Sequence, residues 1–153
     1  ETSVMQHFDI IIEKMMFISK HSKDPIIELY QMNKEALKYL SNEKNSPIYQ
    51  LQKYYRNIYQ KLQIKEFTAL GGMFSKSLER GIKTGLFRSE INIDFVTRIF
   101  HNGIRGIQDS ELFPVEKYKN EHLLIQFTEY HLRAICTQQG IEKLTKYKKE
   151  LNI

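Results

Sequence analysis

Helix-breaking residues are scarce in this chain of 153 residues, and its prolines stand where a helix should begin. There are three prolines and seven glycines. Proline lacks an amide hydrogen and fixes φ, so helices accept it in the first turn and reject it further in. Pro25 follows Asp24 and Pro47 follows Ser46, each pair joining an N-cap side chain to a proline at the first helical position. Pro114 follows Leu112-Phe113. Between these breakers the apolar residues recur at spacings of three and four, the period of an amphipathic helix. The expected fold is therefore all-α, a bundle of six to seven helices without strands.

The first helix is expected over about residues 2–22, where Met5, Phe8, Ile12 and Met15 form a stripe widened by Ile11, Phe17 and Ile18. A second runs from Pro25 to about residue 40, with Ile26, Leu29, Tyr30, Asn33, Leu37 and Leu40 inward, and a polar break over 41–45 ends it. From Pro47, the residues Ile48, Leu51, Tyr55, Ile58 and Leu62 make a third stripe. A fourth helix is expected over about 64–84, stopped by Gly85 in the left-handed conformation, with Leu86 and Phe87 folding back over its last turn. Asn92 caps a fifth, whose inner stripe is Val96, Ile99, Phe100, Gly103, Ile104 and Ile107. Pro114 opens a sixth, with Leu123, Leu124, Phe127, His131, Ala134 and Ile135 on one side. Gly140 is expected to interrupt it before a continuation over 141–151.

An apolar share of 41% supplies a core for one domain of this length. Cys136 stands alone, which excludes an internal disulfide and fits a reducing, cytoplasmic setting. No apolar run is long enough to span a bilayer, so no membrane partner is expected. The net charge of +5 does not mark a nucleic-acid surface, because lysines and arginines lie beside acids on every helix. The densest group, Lys143, Lys146, Lys148 and Lys149, reads as a solvated helix end. The chain opens on Glu1-Thr2, and a fragment of a longer protein is expected rather than a processed mature one.

Chemistry-bearing motifs are few. The five histidines have no paired spacing and Cys136 has no companion thiol, so no metal ligand set is expected. There is no nucleophile elbow and no phosphate-cradling glycine loop, so neither catalysis nor a cofactor is expected.

Three stretches carry a family likeness. They are the turn Gly85-Leu86-Phe87-Arg88 with Asn92 and Asp94 behind it, the junction Leu112-Phe113-Pro114, and the run His131-Leu132-Arg133-Ala134-Ile135 leading through Thr137 to Gly140. In this order they resemble the C-terminal regulatory domain of TetR-family transcriptional regulators. The resemblance covers the whole chain in helix order and is specific in sequence over its second half. The helix-turn-helix that precedes such domains has no counterpart here. Residues 1–153 would then be an effector-binding and dimerising domain, with 1–22 the remainder of a linker helix. DNA contact would come only through the missing module.

The resemblance implies a homodimer formed by the last two long helices, with Ile99, Gly103, Gly106, Ile107, Phe127, His131, Ala134 and Ile135 as candidate contacts. A glycine inside a helix costs about 1 kcal/mol against alanine, so Gly103 and Gly106 should accommodate a close neighbour, in the partner or in the same chain. It also implies a cavity for a small hydrophobic or aromatic effector. Candidates are Phe8, Met15, Met16, Tyr30, Tyr55, Tyr59, Phe67, Met73, Phe74 and Phe100, with His101 and Arg105 as polar anchors. Any one of these side chains would serve equally as ordinary core. Tyr49, Tyr54, Tyr55 and Tyr59 concentrate phenols on one stretch, a combination suited to flat, weakly polar ligands. Gly71-Gly72 points either to a kink or tight crossing or to room for a ligand against bare backbone. The alternative to a sensor is a stand-alone helical adaptor without a pocket; a helical enzyme would need polar groups converging in the cavity.

Overall fold

The computed structural model describes residues 2–22, 24–37 and 47–151. Among them are seven helices and no strand: α1 Thr2–His21, α2 Pro25–Leu37, α3 Pro47–Tyr54, α4 Arg56–Lys83, α5 Ile93–Ile107, α6 Asn120–Ile135 and α7 Gln138–Leu151. Leu40, the polar break at 41–45 and Ser46 lie outside the described residues.

Local chemistry sets most of the ends. Asp24 Oδ1 accepts from the Ile26 and Ile27 amides at 2.8 and 3.2 Å, capping α2 ahead of Pro25. Its carboxylate also ion-pairs with Lys143, which ties this end to α7. Asn92 Oδ1 accepts from the Phe95 amide at 2.9 Å, and Asp94 in the first turn and Arg105 in the last both complement the α5 dipole. Gly85 has φ +75°, and beyond it the amides of Leu86 and Phe87 return to the Gly81 carbonyl at 2.9 and 3.0 Å. Phe87 then packs across Gly81, where any side chain would collide with its ring.

Three boundaries differ from the sequence expectation. The stripe from Ile48 to Leu62 is divided at Tyr55, whose backbone (φ −132°, ψ 53°) separates α3 from α4. No glycine or proline marks this point, and hydrogen bonding passes across it, from Tyr55 N–H to Leu51 O at 2.9 Å and from Tyr59 N–H to Tyr55 O at 3.0 Å. Pro114 does not open α6. Its carbonyl receives the Lys117 and Tyr118 amides in a turn, and the helix waits until Asn120, past a polar stretch with little to bury. Gly140 does not interrupt a helix either; it lies inside α7, where its missing side chain admits the Leu86 carbonyl. The break falls instead at Cys136 and Thr137.

That break and the α4–α5 turn form a clasp. Phe87 and Cys136 make an antiparallel bridge, with Arg88 N–H bonded to Ile135 O and Thr137 N–H to Leu86 O, both at 2.9 Å. The Thr137 hydroxyl donates to the Gly85 carbonyl at 2.5 Å and accepts the Gly140 amide at 3.2 Å, so one side chain joins the turn and starts α7. Around the clasp, Ile26, Leu78, Leu132 and Leu144 are almost fully buried and knit α2, α4, α6 and α7 into the core. Glu28 of α2 is buried as well, ion-paired with Arg80 and accepting a hydrogen bond from Ser77, both on α4.

Candidate functional site

On α4, the residues Tyr59, Leu62, Gln63, Glu66, Phe67, Leu70, Gly71 and Phe74 recur at three- and four-residue intervals and share one face. That face meets Phe8, Ile11 and Met15 of α1, Leu29, Met32, Asn33 and Ala36 of α2, and Thr97, Phe100, His101 and Ile104 of α5. Together they enclose a cavity of about 140 Å³, with Ile48, Gln108 and Leu124 completing its wall. Its aromatic side is ordered: Phe74 and Phe100 stack at 4.4 Å with planes 7° apart, His131 sits 4.6 Å from Phe100, and Phe67 lies 5.0 Å from His101. Gly71 presents bare backbone beside the Phe67 ring, and α4 runs through Gly71-Gly72 without a break.

The polar groups in this wall are partly paired: Asn33 donates to the Thr128 hydroxyl, Thr97 shares a hydrogen bond with Ser75 at 3.0 Å, and the Gln63 side chain hydrogen-bonds Tyr59. Gln63 Oε1 and His101 Nε2 are buried without a hydrogen-bond partner among the described residues. Burial pushes the Glu66 carboxyl up to about 7 from an ordinary 4.5, against the pull of Arg105. Burial, and secondly the Arg105 charge, lowers His101. Burial raises the Tyr59 phenol, with Glu66 adding to the effect. His131, shut among Phe74, Phe100 and Phe127, is pushed down to about 4 by burial.

A second, polar cavity of about 670 Å³ adjoins the first. Tyr59 and Gln63 belong to both walls, and the outer one adds Lys53, Arg56, Arg105, Asp109 and Glu111. Tyr59 and Gln63 therefore form the partition between a polar outer space and a largely apolar inner one.

Of the effector candidates named from the sequence, Phe8, Met15, Tyr59, Phe67, Phe74, Phe100 and His101 line the inner cavity. The other five do not. Met16 and Tyr55 point to solvent, 52% and 59% exposed, because α1 and the α3–α4 junction turn them outward. Tyr30 is buried on the far side of α2 against Tyr147 of α7, where burial lifts its phenol to about 12. Met73 is half-buried outside the wall, and Arg105 belongs to the outer cavity. Sequence reasoning missed Gln63 and Glu66, although both fall in register with Leu62 and Leu70 on the inward stripe of α4.

The dimer candidates divide similarly. Gly103 is covered within the chain, since Phe127 of α6 occupies the place a side chain would take. His131 and Ile135 are buried in the single chain, and Phe127 packs on Phe100. Ile107 is half-buried. Ile99 is 46% exposed, Ala134 faces solvent, and nothing lies near Gly106. Phe95 and Tyr130, not among the candidates, are 61% and 75% exposed and stand one turn from Ile99 and Ala134.

Among the described residues, no three metal-ligating side chains converge and no helix is long and apolar enough to cross a membrane. Cys136 is buried at the clasp, outside the cavity wall, and burial raises its thiol to about 11. The chain matches no family model, no curated protein and no solved structure.

Proposed function

We propose that this chain is the effector-sensing domain of a TetR-like transcriptional regulator, binding a small hydrophobic or aromatic molecule without transforming it. The observation that carries the reading is the aromatic cavity between α1, α2, α4 and α5. Its volume of about 140 Å³ is close to the roughly 150 Å³ in which an apolar protein cavity accepts benzene. A molecule of one ring fits without remodelling.

The seat of α1 supports a sensing role. Phe8, Ile11 and Met15 reach α4 across the cavity, and among the described residues a polar tie between the two helices is the exposed Lys65–Asp9 pair at 2.7 Å. Exposed pairs contribute about 0–1 kcal/mol, so packing around the cavity sets the spacing of α1 and α4. A ligand between them would favour one spacing over another, and that difference in affinity is the whole of the coupling available to it. DNA would be reached through a module outside these residues, in a cytoplasmic regulator acting as a homodimer. The exposed stripes Phe95–Ile99 on α5 and Tyr130–Ala134 on α6 supply an apolar surface for a two-fold partner.

Thermal unfolding with one-ring compounds tests the reading. A ligand at a hundred times its Kd should stabilise by about 2.7 kcal/mol, or roughly 5–11 °C for a chain of this size. Leu70→Trp, which fills the cavity, should abolish the rise. A set of one-ring compounds that leaves the wild-type midpoint unmoved would refute the cavity as a ligand site.

A further inference from the structure

We propose, on the basis of that reading, that the inner cavity selects a protonated amine carried on a one-ring apolar body, with Glu66 as its counter-ion and Gln63 Oε1 as a second acceptor. Three observations converge on it. The first is sign: among the described residues the wall contains one acid, Glu66, and no lysine or arginine. Arg105, the cation that acts on Glu66, does so from the outer cavity. The second is an unmet demand for a donor. Gln63 is 4% exposed; its side chain hydrogen-bonds Tyr59, and its Oε1 is left with no partner among the described residues. It precedes Glu66 by three residues, so the two acceptors stand one helical turn apart on the same face of α4. An ammonium carries three hydrogens and no acceptor, which matches a carboxylate and an amide oxygen placed together.

The third is the shape and polarity of the rest of the wall. Tyr59, Phe67, Phe74 and Phe100 surround the remaining space. Aromatic faces attract a cation held within about 6 Å of a ring centroid, and the same rings accept an apolar body. A neutral hydrocarbon would fill the volume and leave the buried Gln63 Oε1 without a donor. An anion would face Glu66 directly. The burial that holds the Glu66 carboxyl near 7 fits this assignment, because an incoming ammonium supplies the charge that the site lacks and draws the carboxyl into its ionised form.

Titration calorimetry on the full chain at neutral pH, with benzylamine, benzyl alcohol, toluene and benzoate, separates the alternatives at constant ring size. Benzylamine should bind at least tenfold more tightly than toluene, benzyl alcohol should fall between them, and benzoate should not bind. Glu66→Gln should weaken benzylamine at least tenfold while toluene stays within twofold; Gln63→Met should weaken it severalfold. If toluene binds and benzylamine is no tighter, or if Glu66→Gln leaves benzylamine unchanged, the amine assignment is overturned and the cavity reading stands. If none of the four binds, both fall. Should Glu66→Gln fail to fold, the ranking on the wild-type chain decides.

Discussion

Glu66 and His131 should impose opposite pH dependences on the stability of this fold, and replacing either should expose the other. The Glu66 carboxyl is held near 7 from 4.5, so between those values the folded chain keeps a proton that the unfolded chain has released. Its contribution is complete below pH 4.5 and is lost as pH rises through 7. His131 is held near 4 from 6.5, so between those values the unfolded chain carries the extra proton. Its contribution is complete above pH 6.5 and is lost as pH falls toward 4. At about 1.4 kcal/mol per pH unit, His131 is worth about 3 kcal/mol, and Glu66, which keeps some contact with solvent, roughly 2–3 kcal/mol. Between pH 4.5 and 6.5 the two slopes nearly cancel. Glu66→Gln should therefore give a stability that climbs by about 3 kcal/mol across this window, or roughly 6–12 °C in midpoint. His131→Phe should give one that declines through pH 7. Urea unfolding followed by circular dichroism at pH 4.5, 5.5, 6.5 and 7.5 measures both, and subtracting the wild-type curve removes the other carboxylates. Parallel curves for wild type and Glu66→Gln would refute the buried-carboxyl argument.

Arg80→Ala should cost about 3 kcal/mol, because it strands the buried Glu28 charge with Ser77 as its remaining partner; urea midpoints give the value. Gly72→Ala should stabilise α4 by about 1 kcal/mol, since nothing lies within 4 Å of the added methyl. Gly140→Ala should instead lose roughly 2 kcal/mol or more against the Leu86 carbonyl, and thermal unfolding of the two variants should move in opposite directions. Ile99→Arg places a charge in the exposed α5 stripe; if the proposed dimer forms through that stripe, sedimentation velocity should show the variant as a monomer with its unfolding midpoint not lowered.

The all-helical fold was legible because caps and breakers act locally. Asp24-Pro25, Asn92 and Gly85 each exert their effect within a few residues and lie where the sequence puts them. The α3–α4 boundary was not legible, since Tyr55 departs from helical geometry with no residue nearby that demands it. Glycine was ambiguous for a different reason. Gly85 serves a backbone angle, whereas Gly103 and Gly140 serve neighbours far along the chain, and sequence alone does not separate the two uses. At the cavity, aromatic residues drew attention to Phe74 and Phe100, while Gln63 and Glu66 passed unnoticed because polar side chains on a helix are usually solvated. Their phase along α4 was the available signal: 59, 62, 63, 66 and 70 share one face, and a carboxylate in that register is drawn partly out of water by the fold itself.

The clasp also ranks the molecule by the order in which it comes apart. The amides of Arg88 and Thr137 bond across the junction of four helices, so their exchange with deuterated solvent requires that junction to open as a unit. Amides along α3, which has no buried residue, lack such a shared fastening and should exchange at a much lower free-energy cost. A map of exchange rates would thus divide the chain into a slow half gathered around Thr137 and a fast flank at α3. Beside that flank, Tyr59 and Gln63 of α4 stand between the two cavities.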